Sequence, residues 1–429
     1  MIPDKDKKAV VVGGGFAGTT AARLLERRLG ADWDVFLLTS SNVLTYNPLL
    51  PEAVGGALLP GHVAAPIRFM LRRTRIRTVT VDAIDLDAQR VHYTGASDGT
   101  LRYDHLLLAM GMAARLDAAP GMADHALPLK TLGDALHLRN TLLWRLEQAT
   151  LSRDVGRRRQ LMTFIVVGGG FSGVEAAGEI HDLISSSLRF YHNVEPAELR
   201  VVLIHGRDRL LPEVSPRLSS YVADQLGKRG IEVRLNSRAE QFRADGVTLR
   251  GGEELKASTV VTTIGSSPRP LVADSRLPAD RGRIRTDRHL RVEGFDNVWA
   301  VGDCARVVNG HDDQVCPPTA QFAVRQARGA AANMLAAVGG EALSSFSYRP
   351  LGQLAAIGHM NAVAEIRGVR VRGFAGWLLW RAVYLAKIPT LAAKARVFFE
   401  WNWALMFPRD PGMLEFERSR PPEKAPPES

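Results

Sequence analysis

Gly168, Gly170 and Gly173 stand in G-x-G-x-x-G spacing directly after the apolar run 164–167, within FIVVGGGFSGVEAAGEI. Glycines so placed allow a tight strand-to-helix turn, close approach of backbone to a pyrophosphate, and close helix–strand contact. The helix that follows points its free N–H groups and positive dipole end at the anion. One such loop is a weak signal. A near copy, AVVVGGGFAGTTAARLL, places Gly13, Gly15 and Gly18 after another apolar run near the start of the chain. Repetition of GGGF-[AS]-G in one chain is hard to reach by accident. Two dinucleotide sites are the reading.

Further residues fit around these loops. In NVWAVGDCA an apolar strand ends in Gly302 and Asp303, a carboxylate suited to a flavin ribityl hydroxyl beside a glycine that permits close approach. An adenosine-binding unit usually closes its second strand with Asp or Glu to hold the ribose. Here Thr39 follows the strand 35–38, offering a hydroxyl instead, and His205 follows 200–204, with Arg207 just beyond. Basic residues there tolerate the 2′-phosphate of NADPH, so NADPH is expected to be accepted beside NADH. Gly111 ends YDHLLLAMG, which reads as a buried strand and is similar to the stretch where two-dinucleotide flavoproteins leave the flavin domain, and Gly265 ends the strand 259–264. A helix is expected over 316–332, begun after Pro318 and capped by Thr319, so that Ala320 and Gln321 lie at an N-terminus facing the flavin pyrimidine. Its dipole would stabilise the reduced, anionic ring.

The elements that must position these residues follow from periodicity. Strands are expected at 76–82, 90–93 and 231–235, helices at 68–75 and 132–151. Residues 42–56 read as a loop leading into a short helix, since Pro48 and Pro51 forbid a regular one throughout. The fold class is α/β, with two Rossmann-like dinucleotide-binding domains, one nested within the other, and a C-terminal amphipathic membrane-association segment. The expected division is 8–125 with 285–340 for FAD, 126–284 for NAD(P)H, 341–417 for the C-terminal region, and a disordered Pro- and charge-rich tail at 418–429.

The chain has 429 residues, net charge +10 and two cysteines. Two cysteines cannot build a disulfide framework, which favours a reducing compartment, and no cleavable leader is expected before the first glycine loop. Nothing suggests a metal site. The arginines at 157–159 read as solvated surface, and no nucleic-acid module accompanies the charge. A second basic stretch, from Arg367 to Arg396, overlaps GFAGWLLWRAVYLAKIPTLAAKARVFFEWNWALMFP, which holds Trp377, Trp380, Trp401 and Trp403. Arg381, Lys387 and Pro389 break its apolar run, so it is not expected to span a bilayer. Helices lying in the interface of an anionic membrane suit it better, and a homodimer interface is the alternative.

Assembled, these residues resemble the type II NADH dehydrogenases, single-subunit NAD(P)H:quinone oxidoreductases that pump no protons. The likeness runs from about residue 8 to 408 and rests on NPLLPEAVGG, the second glycine loop with its insertion, WAVGDCA, PPTAQFAVRQA, LAAIGHMNAVAEIRGVRVRGFAGWLLWR and the Trp-rich stretch. It implies FAD held by Gly13, Gly15, Gly18 and Asp303, and the nicotinamide nucleotide held by Gly168, Gly170 and Gly173. It implies that Glu175 handles protons near the nicotinamide–flavin contact, although an acid early in a helix also reads as a simple dipole partner. The quinone segment maps onto Ala320, Gln321 and Gln326. A membrane quinone is the implied acceptor, reached from the cytoplasmic face of the cell membrane by a peripheral protein. Thr39, His205, the turn at 262–265, Val324 and Arg325 depart from the family pattern and bear on nucleotide preference and quinone identity. Dithiol relay enzymes need a C-x-x-C or C-x-x-x-x-C that is absent here. Sulfide:quinone oxidoreductases use paired reactive cysteines from distant segments, whereas Cys304 and Cys316 share one. A reductase of a protein electron carrier, or a redox sensor without turnover, is the remaining alternative.

Overall fold

Each glycine loop leaves the middle of its own parallel sheet. In the computed structural model, which describes residues 5–414, the first sheet has the order Val298–Ala300, His105–Leu108, Lys7–Val12, Trp33–Thr39, Arg75–Asp85, Arg90–Gly95 and Gly99–Arg102. The first five strands run parallel, and the last two are added antiparallel. Residues 9–12 and 35–38 are buried throughout, as strands covered on both faces must be. The second sheet has the order Leu127–Pro128, Thr259–Thr262, Thr163–Val167, Arg200–Ile204 and Ile231–Arg234, all parallel. Val298–Ala300 rejoins the first sheet only after the second is complete, so one unit is nested within the other. In both sheets the glycine-loop strand has neighbours reached by crossovers on either side, the switch point where open α/β sheets bind ligands.

The chain crosses between the sheets twice, and the crossings pair antiparallel, Ala113–Ala114 against Ser266–Ser267. Gly111 and Gly265 open these crossings at φ +63° and +72°, a left-handed geometry that glycine adopts without a Cβ penalty.

A third layer is formed by the antiparallel strands Gly352–Gly358, Asn361–Ile366 and Val369–Arg372 and the helices Gly373–Lys387 and Leu391–Met406. It lies on the helix Phe171–Ser187 of the second glycine loop. The small residues at 176–178 make this contact possible: a Cβ on Gly178 would stand 2.7 Å from the Ile357 carbonyl oxygen. Trp380, Trp401 and Val397 enter the same core as Ile180 and Ile184.

Several local expectations change. Residues 68–75 form no regular helix. A single 3-10 turn, Ile67–Phe69, is followed by a bend that leads into Arg75–Asp85. The bend is fixed by the Glu26 carboxylate, which accepts the backbone N–H groups of Arg72, Arg73 and Thr74. Within 42–56 the helix Leu50–Val54 contains Pro51 in its first turn, where a missing N–H costs nothing. The helix expected over 316–332 is Ala320–Gly339, and Thr319 stands at its N-cap without a side-chain cap bond. Helix Leu132–Leu151 forms as expected, closed by a Thr131/Asp134 capping box. Among the described residues no helix is long and apolar enough to cross a membrane. The tail 418–429 lies outside the described residues.

Candidate functional site

The two glycine loops share one geometry. Gly13 and Gly168 take φ +108° and +122°, and their N–H groups donate to the Leu38 and Ile204 carbonyls at 2.8 and 2.9 Å. A Cβ on Gly18 would collide with the Gly13 carbonyl oxygen, and one on Gly173 with that of Gly168. Gly15 and Gly170, by contrast, face open space. Each therefore leaves its backbone accessible at the start of a helix, Phe16–Arg28 or Phe171–Ser187, whose N-terminus has no side-chain cap. Closed behind and open in front, both loops fit a pyrophosphate.

Gly302 (φ +75°) brings the Asp303 turn against the first loop. A Cβ on it would lie 3.5 Å from that of Ala17 and 3.6 Å from that of Ala323. The first glycine helix, the Asp303 turn and the helix carrying Ala320 and Gln321 thus converge. The Gly302 N–H donates to Gln326 Oε1 at 2.8 Å, and Gln326 is 1% exposed. Gln326 is committed to positioning this turn rather than offered to a ligand. The half-buried Asp303 has Lys130 Nζ 4.0 Å away. The arrangement fits FAD: an open glycine cradle next to a carboxylate at the adjoining strand end. Gln321 Oε1 accepts the Tyr348 hydroxyl at 3.2 Å.

The two ribose-side residues behave differently from the expectation. The Thr39 hydroxyl donates to the Ser41 carbonyl at 2.9 Å, so its proton serves the turn. His205 Nδ1 accepts the Gly169 N–H at 3.0 Å, and burial together with Arg207 pushes its pKa down. The ring is neutral and braces the second loop. Arg207, two residues on, is exposed.

Glu175 is not a solvated dipole partner. It lies in the second turn of Phe171–Ser187 and is buried by the strand Gly352–Gly358, whose Ala356 N–H donates to its Oε1 at 3.0 Å. Burial pushes its carboxyl up to about 8, against the pull of that N–H, with the Glu52 charge adding to the rise. Glu52, on the helix Leu50–Val54, is buried too. Trp401 Nε1 donates to its Oε2 at 2.6 Å, yet burial and the Glu179 charge lift it to about 8. Beside them Arg409 meets Glu179 at 2.5 Å and Asp182 at 3.3 Å. Arg381 stacks 3.8 Å over Trp377, its pKa lowered by burial to about 10. An aromatic column links this cluster to the first loop: Phe16 to Tyr46 at 5.5 Å, Tyr46 to Tyr384 at 6.2 Å, and Tyr384 to Trp380 at 4.7 Å. Two buried carboxyl groups so raised favour the protonated form at neutral pH, the property of groups that can store a proton. Sequence reading missed Glu52, Arg409 and Tyr384. The available signal was an acid flanked by apolar residues in NPLLPEAV.

Cys304 and Cys316 are buried, and burial pushes both thiols up to about 11, far from the thiolate that redox chemistry needs. Changing both to alanine is expected to leave quinone reduction within about twofold of wild type, since neither thiol forms the nucleophile. A tenfold loss in steady-state rate, or flavin bleaching by sulfide in the wild type, would contradict this.

Similarity to known proteins places the chain in a family. Residues 7–327 match the family model of pyridine nucleotide-disulphide oxidoreductases, and residues 351–410 that of the NDH2 C-terminal domain. The type II NADH:quinone oxidoreductase Ndh of Mycobacterium tuberculosis is 31% identical over 418 residues, covering 93% of this chain and 88% of that protein. The demethylphylloquinone reductase NdbB of Synechocystis is 31% identical over 412 residues, covering 93% and 96%. The solved structure of NDH2 from Plasmodium falciparum in complex with NADH shares the fold, with a TM-score of 0.87 at 19% identity over 95% of this chain and 100% of that one. The paired cradles and the Asp303 turn define a flavoprotein with two dinucleotide-binding units. Within that class the chain belongs to the type II NADH:quinone oxidoreductases. It is an enzyme that carries electrons from a reduced nicotinamide through FAD to a quinone.

Proposed function

We propose the following roles for this chain's residues in that reaction. The backbone at Gly13, Gly15 and Gly18 binds the FAD pyrophosphate, and Asp303 binds the ribityl chain. Gly168, Gly170 and Gly173 bind the pyrophosphate of the nicotinamide nucleotide. Arg207 accepts the 2′-phosphate of NADPH, so both nucleotides serve. FAD, when bound, takes hydride from the reduced nicotinamide and returns two electrons to quinone. Ala320 and Gln321 line the quinone end, and Gln326 acts through Gly302 as a positioning residue. Glu175 holds a proton on its carboxyl for the reduced quinone, which needs two protons to become quinol. The observation that carries this reading is the repeated open cradle, with Glu175 buried on the helix of the second and its pKa raised by that burial. In domain terms, 8–125 with 285–340 forms the flavin half, 126–284 the nicotinamide half and 341–417 the membrane-associating region.

The protein lies on the cytoplasmic face of the membrane through the helices Gly373–Lys387 and Leu391–Met406. Phe374, Leu378, Phe398, Phe399 and Trp403 are exposed on them, with Lys and Arg interspersed, as interfacial helices require. A homodimer burying the same residues is the alternative, and a mass of two chains in detergent would favour it. Anaerobic stopped-flow tests the reaction. The yellow protein is expected to bleach with NADH and with NADPH, and to recover its colour on adding a soluble quinone. Bleaching without recovery would point to a protein carrier as acceptor. Protein without flavin would sink the assignment of the first cradle.

A further inference from the structure

The first glycine helix turns a basic face away from the nucleotide cradle. Arg23 and Arg27, one turn apart on Phe16–Arg28, meet Arg72 and Arg73 from the bend before Arg75–Asp85 across a cavity of about 590 Å³. A further wall is formed by Pro389 and Thr390, in the loop that joins the two C-terminal helices, and by Leu391, which opens the second of them. Glu26 is the acid at this cavity; its oxygens are occupied by neutral donors, and its one negative charge leaves the four arginines in net excess. Its carboxylate accepts Arg72, Arg73 and Thr74 N–H groups at 3.1, 2.9 and 2.9 Å and the Thr74 hydroxyl at 2.8 Å. Those bonds outweigh burial and hold it below the ordinary carboxylate range. Glu26 therefore shapes the floor. Among the described residues none of the four guanidinium groups is ion-paired with a carboxylate.

Four guanidinium groups against the single Glu26 carboxylate leave the cavity net positive, which favours a further anion among them, and their planar forks match phosphate oxygens. The rim is apolar: Phe69 is 74% exposed and Leu391 84%. A soluble anion would gain nothing from those side chains. A molecule with a phosphate at one end and hydrocarbon at the other would use both halves. The loop at 388–390 lies between the two helices proposed to rest in the membrane interface, so the cavity opens where lipid headgroups would be.

We propose that this cavity is a headgroup site for an anionic glycerophospholipid. The phosphate is held by Arg23, Arg27, Arg72 and Arg73, and the acyl chains pass Phe69 and Leu391 into the bilayer. The proposal rests on the interfacial placement above and goes beyond it. It names one built site, distinct from diffuse attraction between a basic protein and an anionic surface.

The test compares three holoenzymes: wild type, a pocket variant (Arg23→Gln, Arg27→Gln, Arg72→Gln, Arg73→Gln) and a control variant that removes equal charge elsewhere (Arg153→Gln, Arg157→Gln, Arg159→Gln, Arg217→Gln). Bound flavin and soluble-quinone reduction report that each is folded. Co-flotation is measured with phosphatidylcholine vesicles and with vesicles that also contain phosphatidylglycerol. At about fivefold per arginine at an anionic surface, the pocket variant is expected to lose roughly a hundredfold or more in binding to the mixed vesicles. It should keep wild-type binding to the neutral ones, and the control should lose far less. Equal losses in the two variants, or no loss in the pocket variant, would overturn the site. Wild type that floats with neither vesicle would refute the interfacial placement. In that event a second measurement still decides the pocket. Thermal stabilisation by monomeric dihexanoyl phosphatidic acid, absent in the pocket variant and absent with inorganic phosphate, supports it. Equal stabilisation by inorganic phosphate marks a simple anion site and overturns the lipid assignment, as does no stabilisation.

Discussion

Gly18→Ala is expected to give a colourless protein, and Gly173→Ala a yellow one that NADH no longer bleaches. The two positions are equivalent within their loops but serve different nucleotides. In each case the new methyl group would overlap the carbonyl oxygen of the loop's first glycine, Gly13 or Gly168. That carbonyl cannot swing away cheaply. Its residue sits at φ +108° or +122° and is anchored through its N–H to Leu38 or Ile204. The helix must slide outward instead, moving the N–H groups that face the pyrophosphate. Overpacking of this kind costs roughly 1–3 kcal/mol in fold stability. The loss in nucleotide affinity is larger, about a hundredfold or more, because close approach and helix alignment fail together. Flavin absorbance per mole of protein and the bleaching rate read the two effects separately. If both variants keep flavin and both bleach, the loops do not hold the nucleotides. Exchanged phenotypes would mean that the halves are assigned the wrong way round.

The cradles were legible in the sequence because their geometry is local. Glycine spacing, the apolar run before it and the helix after it lie within one short stretch. The Asp303 turn was legible for the same reason. What escaped was decided by distant partners. Glu52 draws its environment from Trp401, 349 residues away, and Arg409 meets Glu179 across 230. Glu175 reads as an acid near a helix start until the strand Gly352–Gly358 covers it. The expected helix at 68–75 is lost to one carboxylate, Glu26, which offers the backbone of 72–74 better partners than a helical turn would. His205 looks like a nucleotide contact by position, but its ring turns inward to Gly169.

Glu175→Gln is expected to leave bleaching by NADH near wild type and to slow reoxidation by quinone by about 10²–10³-fold, the usual contribution of a positioned proton donor. Glutamine keeps the shape and the Ala356 hydrogen bond but cannot give up a proton. A purely structural role would instead slow both half-reactions or neither. The same burial makes a second, independent reading through stability. The carboxyls of Glu175 and Glu52 stand at about 8, above their ordinary value of 4.5. A carboxyl raised on folding stabilises the protein fully below its unfolded pKa, and that contribution is lost as pH rises through the folded value. The loss therefore falls between about pH 5 and pH 9, with a ceiling of roughly 5 kcal/mol for either group. The charges around them set the size of the effect: Glu179 opposes ionisation of both, while Arg381 and Arg409 favour that of Glu52. His205 and His359, lowered by burial, lose stability in the opposite direction, as pH falls below their ordinary 6.5. The window from about pH 7 to pH 9 isolates the carboxyls. There the melting temperature of wild type is expected to drop steeply, and that of Glu52→Gln/Glu175→Gln to fall less, the remainder coming from Glu179, which burial also raises, and to cross above it. Parallel curves would mean that both groups are ionised in the folded protein. The proton for quinol would then have to come from elsewhere. Slow reoxidation in Glu175→Gln together with a flattened curve would place storage and delivery of that proton on the same buried carboxyl.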